Sequence, residues 1–323
     1  MPISVLLTES YHPFLVESLR QHPTIHLTHI ENPSPALLYD AISEAEVWIM
    51  RGTIAVTEAL LEKAHRLQLI IRAGSGVDHI EKEALKRRRI KLYSTPHVNA
   101  LPVAEYVLTA LLMLSRRFLI AHHHLKESGR WLRRNSMGRE LGSLTVGIIG
   151  FGQNGSRTAY LLAALGARVL AYDKYKGGFG GFGIRETTLE EIFAEADVLS
   201  LHIPLTTETK GLVNADFLRR FQRPVALINA ARGEIVELSA ILEALLAGRL
   251  WGVALDTLPY EPPERLAPPD YAVWEQLRRH PAVLLTPHIA GLTEESELRL
   301  ARAVLTLLES WLHRQSDPYS DKV

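Results

Sequence analysis

Three polar side chains in the second half of the chain are of types that move a proton and hold an anion. They are Arg232 in LINAARGEIV, Glu261 in ALDTLPYEPP and His288 in LLTPHIAG. An imidazole changes protonation near neutral pH, and a carboxylate beside it favours the imidazolium form. A guanidinium is a permanently charged planar fork that matches a carboxylate and can also polarise a ketone. Each of the three follows a strand-like run, and ligands of open α/β sheets bind at the carboxyl ends of strands. Taken singly, each has an ordinary explanation: a surface ion pair for Arg232, a solvated loop acid for Glu261, a structural histidine after a proline for His288.

A second constellation lies upstream, in TVGIIGFGQNGSRTAYLLAALGARVLAYDKY from Thr145 to Tyr175. Gly150, Gly152 and Gly155 have G-x-G-x-x-G spacing, with Gln153 and Asn154 between the last two. The first glycine permits a tight turn after a strand, the second lets backbone approach a pyrophosphate, and the third lets the next helix pack closely. That helix points its first N–H groups at the phosphates. The following strand ends on Asp173, where an acid can accept hydrogen bonds from the ribose hydroxyls of NAD and would repel a 2′-phosphate. Lys174 can offset that repulsion, which keeps NADP as the lesser alternative. A methyltransferase using S-adenosylmethionine also has a glycine-rich turn, but leaves the polar strand ends downstream unexplained.

The elements that must position these residues are legible as alternating runs. Ile3–Leu7, Ile25–Thr28, Val47–Met50, Leu67–Arg72 and Ile90–Tyr93 read as strands, separated by amphipathic stretches. A helical stretch from Leu101 to about Leu125 follows. From Leu144 the alternation restarts, with six strands at Thr145–Ile149, Arg168–Tyr172, Val198–Leu201, Val225–Ile228, Gly252–Leu255 and Val283–Thr286. One more amphipathic helix, Glu294–His313, is long enough to cross back to the first domain. The expected fold is α/β with two doubly wound parallel-sheet domains. A Rossmann dinucleotide-binding domain (100–291) is inserted into a flavodoxin-like substrate domain (1–99 and 292–323). A cleft between two such domains is a usual place for a small-molecule site.

With RAGSGVDHI and TPHVNALPVAEYVLTALLMLSRR, these segments resemble the D-2-hydroxyacid dehydrogenase family over essentially the full chain. The ordered Arg, Glu and His motifs together are specific to it. The resemblance implies reversible hydride transfer between a nicotinamide and C2 of a 2-oxo or 2-hydroxy acid. His288 would be the proton donor in reduction and, when neutral, the acceptor in oxidation; Glu261 would be its partner, and Arg232 would hold the substrate carboxylate. Asp256 would hold the nicotinamide carboxamide, with His202, Pro204, Thr209, Ala230 and Gly291 along the cofactor. Formate dehydrogenases carry Gln at the Glu261 position, so formate is not the expected substrate.

The turn Arg72-Ala73-Gly74-Ser75-Gly76 follows a strand, and its N–H groups can cradle a carboxylate. The resemblance places the substrate there, with Asn99 nearby. Within the family, RAGSGVD, GRWLRRNSMGREL and INAARGEIV are closest to members that oxidise 3-phosphoglycerate, the first step of phosphorylated serine synthesis. Arg51, Arg72 and Arg133 match positions that hold the phosphate there, and a dianion wants more than one cation. Glyoxylate or hydroxypyruvate reduction and D-lactate oxidation stay open, as does an NAD-sensing corepressor. The chain stops near Val323, so no C-terminal regulatory domain, and no feedback by serine through one, is expected. The helix Leu101–Leu114 and the arm SGRWLRRNSMGREL resemble the family's dimerisation elements, which implies a homodimer whose arm carries Arg133 to the neighbouring site.

Composition bounds the alternatives. The 36 acidic and 36 basic residues balance, so nothing points to nucleic acid or another polyanion. The absence of cysteine excludes thiolate chemistry and disulfides and fits a reducing compartment. The N-terminus reads as a strand and not a secretory signal, and no apolar run approaches the ~18 residues of a membrane span. A soluble cytoplasmic enzyme is expected. His122, His123 and His124 are adjacent, so on a helix they point apart and one metal cannot collect all three; no metal is expected. The glycine-rich stretch at 177–183 has no explanation in the sequence.

Overall fold

The computed structural model describes residues 2–52 and 54–316. The chain divides into two compact units, one made of residues up to Asn99 with those from Thr293 onward, the other of Ala100–Leu292. Each is built on one parallel sheet.

In the first unit the strands are β1 (Ile3–Thr8), β2 (Ile25–Ile30), β3 (Val47–Met50), β4 (Leu69–Arg72) and β5 (Lys91–Ser94), in the order β2-β1-β3-β4-β5. This is the flavodoxin-like order, and every pairing is parallel. A parallel sheet covered on both faces needs strands that are apolar on both faces. The run VWIM of β3 meets that need. Val47 and Ile49 join one core with Val304, Leu308 and Trp311, while Trp48 and Met50 join the opposite core with Leu61 and Ile70. The buried Trp48 indole donates to Thr8 Oγ1 at 3.0 Å, so its polar edge is satisfied. The helix Glu294–Ser316 brings the end of the chain back to this unit, packing on the helix Pro13–Gln21.

The second unit has seven strands: β6 (Thr145–Ile149), β7 (Arg168–Tyr172), β8 (Ile184–Glu186), β9 (Val198–Leu201), β10 (Val225–Asn229), β11 (Leu250–Leu255) and β12 (Val283–Leu285). Their order is β12-β11-β10-β9-β6-β7-β8, a Rossmann order with one strand added beyond the sixth. The sequence predicts six. The missing one is β8, a three-residue edge strand directly after the glycine-rich stretch, too short and too polar to show a period. No helix among the described residues is long and apolar enough to cross a membrane.

The predicted helix from Leu101 to Leu125 is two helices, Ala100–Ser115 and Phe118–Ser128. Arg117 adopts a left-handed conformation (φ 51°) at the break. The backbone of Gly138 passes so close that a methyl group there would lie 2.4 Å from the Ser115 carbonyl oxygen, which accepts from the Arg139 N–H instead. A helix end held by a distant segment is invisible to local periodicity.

Candidate active site

The nucleotide turn joins β6 to the helix Gln153–Ala164. Gly150 has φ 95°, and a Cβ on it would lie 2.5 Å from the His202 carbonyl oxygen. At Gly155 an added Cβ would fall 1.9 Å from the Gly150 carbonyl oxygen, so the helix rests directly on the turn. Around Gly152, the helix N-cap, an added Cβ meets nothing within 4 Å, and no side chain caps the helix. Open space beside uncapped N–H groups, including those of Gln153 and Asn154, is what a pyrophosphate needs. The residues present therefore fit a dinucleotide.

Asp173 holds this turn in place as well as facing it. Its Oδ2 accepts from the Phe151 N–H at 2.7 Å, and its Oδ1 accepts from the N–H groups of Tyr175 and Lys176 at 2.9 and 3.1 Å. The Lys174 ammonium is engaged by both carboxylate oxygens of Glu208, which raise its pKa, so its charge is already matched. The glycine-rich stretch now has a role: Phe179 stacks on Phe151 with ring centroids 4.2 Å apart, and Lys176 Nζ donates to the Phe151 carbonyl at 3.1 Å. His202, at the end of β9, hydrogen-bonds through Nε2 to Ser200 Oγ at 2.9 Å. Burial pushes its pKa down to about 4, so it is neutral at physiological pH. Thr209 Oγ1 donates to the Pro204 carbonyl at 2.7 Å, folding the loop that carries both residues.

The three polar strand ends come together in the second unit. After β10, the buried Asn229 side chain donates to the Arg232 carbonyl and accepts from Ala231 N–H, fixing the turn through Ala230. Gly233 lies against the Leu258–Pro259 backbone, where a Cβ would be 1.9 Å from Leu258 C, so this turn abuts the loop after β11. Arg232 Nη1 donates to the Ala231 carbonyl, and its charge reaches the Glu261 carboxylate. Glu261 Oε1 accepts from the Leu258 N–H at 3.1 Å, and Oε2 lies 2.8 Å from His288 Nδ1. Burial pushes the Glu261 pKa up, but the His288 hydrogen bond and charge, the Leu258 N–H and Arg232 together bring it below the ordinary carboxylate value. An ionised carboxylate only accepts, so Nδ1 of His288 carries the hydrogen in this pair.

Asp256, at the end of β11, is almost wholly buried and supports the His288 loop. Its Oδ1 accepts from Thr286 Oγ1 and Ile289 N–H, and its Oδ2 from Ala290 N–H, at 2.7 to 2.8 Å. Its backbone carbonyl accepts from His288 N–H at 2.8 Å. His288 itself sits at φ 56°, a strained conformation for a non-glycine residue. Tyr106 completes the support with a 2.6 Å hydrogen bond to Thr286 Oγ1, and burial raises its pKa to about 12. Gly291 directly follows this loop. The sequence reading gives Asp256 a cofactor contact alone; the structure adds this positioning role, and it adds Asn229, Gly233 and Tyr106, which the sequence reading does not single out.

Of the remaining sequence-predicted residues, Arg51, Arg72, Gly74, Ser75, Gly76 and Asn99 lie in the first unit and Arg133 in the second. Arg72 closes β4 and donates through Nη1 to the Ala73 carbonyl at 2.6 Å, lying over Gly74 (φ 142°) ahead of Ser75 and Gly76. The Asn99 Oδ1 is buried without a hydrogen-bond partner among the described residues. Arg51 departs from expectation: its guanidinium is not an open cation for a phosphate but is engaged by both carboxylate oxygens of Glu297, at 2.5 Å each. The sequence offers no sign of this, because the partners lie 246 positions apart. Arg133 is exposed in the arm following the helix Phe118–Ser128. Among the described residues no group of three or more His, Asp or Glu side chains is arranged to hold a metal.

Residues 108–290 match the model of the D-isomer specific 2-hydroxyacid dehydrogenase NAD binding domain. The chain is 31% identical over 299 residues to the D-3-phosphoglycerate dehydrogenase of Synechocystis, covering 92% of this chain and 52% of that protein. It is 32% identical to the hydroxypyruvate reductase of Thermotoga maritima, over 81% of this chain and 83% of that one. Among solved structures, D-lactate dehydrogenase from Aquifex aeolicus, in complex with NAD and lactic acid, superposes with a TM-score of 0.86 at 30% identity, covering 96% of this chain and 95% of that one. The chain belongs to the D-isomer specific 2-hydroxyacid dehydrogenase family, whose members are NAD-dependent oxidoreductases acting on CH–OH donors. Its cofactor is NAD. It spans about half the length of the D-3-phosphoglycerate dehydrogenases it matches.

The close approach at Gly155 yields a direct test. Gly155→Ala should raise the Kd for NADH, read by fluorescence titration, by about tenfold or more. Unchanged affinity would show that the turn tolerates displacement from the helix.

Proposed function

We propose that this chain catalyses reversible hydride transfer between NAD and C2 of a small D-2-hydroxy or 2-oxo acid. The observation that carries the reading is the 2.8 Å contact between His288 Nδ1 and an ionised Glu261, with the Arg232 turn packed against the same loop. Bound NAD supplies or accepts the hydride. In reduction, the C2 carbonyl carbon gains a hydride and its oxygen takes the proton from Nε2 of the His288 imidazolium; in oxidation, neutral His288 takes the hydroxyl proton back. Glu261 holds the ring in one tautomer and stabilises its charged form. Arg232 holds the substrate carboxylate and polarises the ketone.

Relatives named for D-3-phosphoglycerate, hydroxypyruvate and D-lactate all support a short 2-hydroxy acid and differ in its substituent. The 3-phosphoglycerate reading, with its place in serine synthesis, is favoured by the arginines at positions 51, 72 and 133. The pairing of Arg51 with Glu297 weighs against it. A corepressor role would leave the His288–Glu261 pair without a task.

Homodimer formation is part of the same proposal. Phe118, Leu125, Trp131 and Met137 are exposed in and after the helix Phe118–Ser128, and Met137 also lines a cavity of about 530 Å³ with Met113, Leu114, Leu119 and Trp251. Large apolar side chains left exposed along one segment favour an association surface there. Sedimentation equilibrium should give a dimer that Trp131→Ala weakens; a monomer at micromolar concentration would contradict it.

For catalysis, His288→Asn should lower kcat for NADH-dependent reduction of 2-oxo acids by roughly 10²–10⁴-fold while NADH still binds. Retained turnover would remove His288 as the proton donor, and no turnover of any 2-oxo acid by the wild-type chain would remove the dehydrogenase reading.

A further inference from the structure

The charge around Arg51 is arranged in an unusual way for a residue expected to receive a phosphate. Both outer nitrogens of its guanidinium are taken by Glu297, and the two side chains are only 28% and 19% exposed. Solvent and salt therefore screen this pair little. A second carboxylate is fixed beside it. Glu9, at the end of β1 with φ 68°, accepts from the N–H groups of Arg51 and Gly52 at 2.9 and 3.1 Å and from Thr8 Oγ1 at 2.9 Å.

Arg72 is the other cation of this cluster, and all four charges act on the buried Tyr11 hydroxyl. Burial first, and then Glu9, raises the Tyr11 pKa well above the ordinary phenol value, so it adds no charge. The Arg51 guanidinium is thus already matched by Glu297, with the Glu9 carboxylate held on its backbone, before any ligand arrives. A phosphoryl group brings between one and two further negative charges and needs cations that are not already matched. To reach Arg51 it must displace Glu297, leaving a carboxylate beside a phosphate, and like charges so placed discriminate strongly against a ligand.

We propose that Glu297 is a specificity-determining residue: by neutralising Arg51 it restricts the chain to 2-oxo and 2-hydroxy acids whose C3 substituent carries no phosphate. The inference rests on the dehydrogenase reading above and on Arg51 and Arg72 serving the substrate. It makes substrate choice a property of a Glu on the last helix, and not of the arginines alone.

The test compares hydroxypyruvate with its 3-phosphate as oxidants of NADH, using the wild-type chain, Glu297→Gln and Glu297→Gln/Arg51→Ala. Wild type should favour hydroxypyruvate in kcat/KM by about tenfold or more. Glu297→Gln should move the ratio toward the phosphorylated acid by about 10–100-fold, and removing Arg51 as well should reverse that shift. Inorganic phosphate should compete with hydroxypyruvate at about tenfold lower concentration in Glu297→Gln than in wild type, an effect that a merely structural role would not produce. A wild-type preference for the phosphorylated acid overturns the proposal, whether or not the variants fold. So does a ratio unmoved by Glu297→Gln, or a shift that survives loss of Arg51. Turnover with an unmoved ratio sinks only the role of Glu297, whereas absence of turnover with both acids and with other 2-oxo acids sinks the dehydrogenase reading.

Discussion

One hydrogen bond organises the polar strand ends of the second unit: that between Nδ1 of His288 and the Glu261 carboxylate. It fixes which nitrogen of the ring carries the hydrogen and gives the positive charge a counter-ion when the ring is protonated. The bond joins two loops on neighbouring strands, β11 and β12, and the Arg232 turn after β10 packs against the first of them. The parallel register of β10, β11 and β12 is what places three loop starts side by side. Sheet geometry does the coarse positioning, and side-chain hydrogen bonds do the rest.

The fine positioning is concentrated in Asp256. Holding His288 at a positive φ costs on the order of 1–3 kcal/mol. Three hydrogen bonds to the buried Asp256 carboxylate, and one from His288 N–H to its carbonyl, offset that cost. Charge-assisted bonds in a dry setting are each worth about 1.5–3 kcal/mol, so the loop is over-determined. Because the folded-state pKa of Glu261 is depressed, its ionised form contributes stability above the ordinary carboxylate range, and that contribution is lost as pH falls through the lowered value.

Much of this was legible in the sequence, for identifiable reasons. Runs such as VWIM and TVGII are buried on both faces and show as unbroken apolar strands. The glycines at 150, 152 and 155 are legible because each answers a separate steric demand, two for closeness and one for openness. What was not legible depends on distant contacts. The helix break at Arg117 is set by Gly138, β8 is too short to be periodic, and the backbone-bonding role of Asp173 leaves no mark beyond its charge. The Arg51–Glu297 pair is the most consequential of these, since an arginine read alone looks like a free cation. The glycine-rich stretch had no meaning until Phe179 was seen stacked on Phe151 in the glycine turn.

The central claim is about a proton on one nitrogen, and ¹⁵N NMR of the His288 ring across its titration addresses it most directly. The account predicts that Nδ1 stays protonated throughout and that only Nε2 gains and loses a proton. A neutral form carrying its hydrogen on Nε2, with Nδ1 bare beside Glu261, would contradict it.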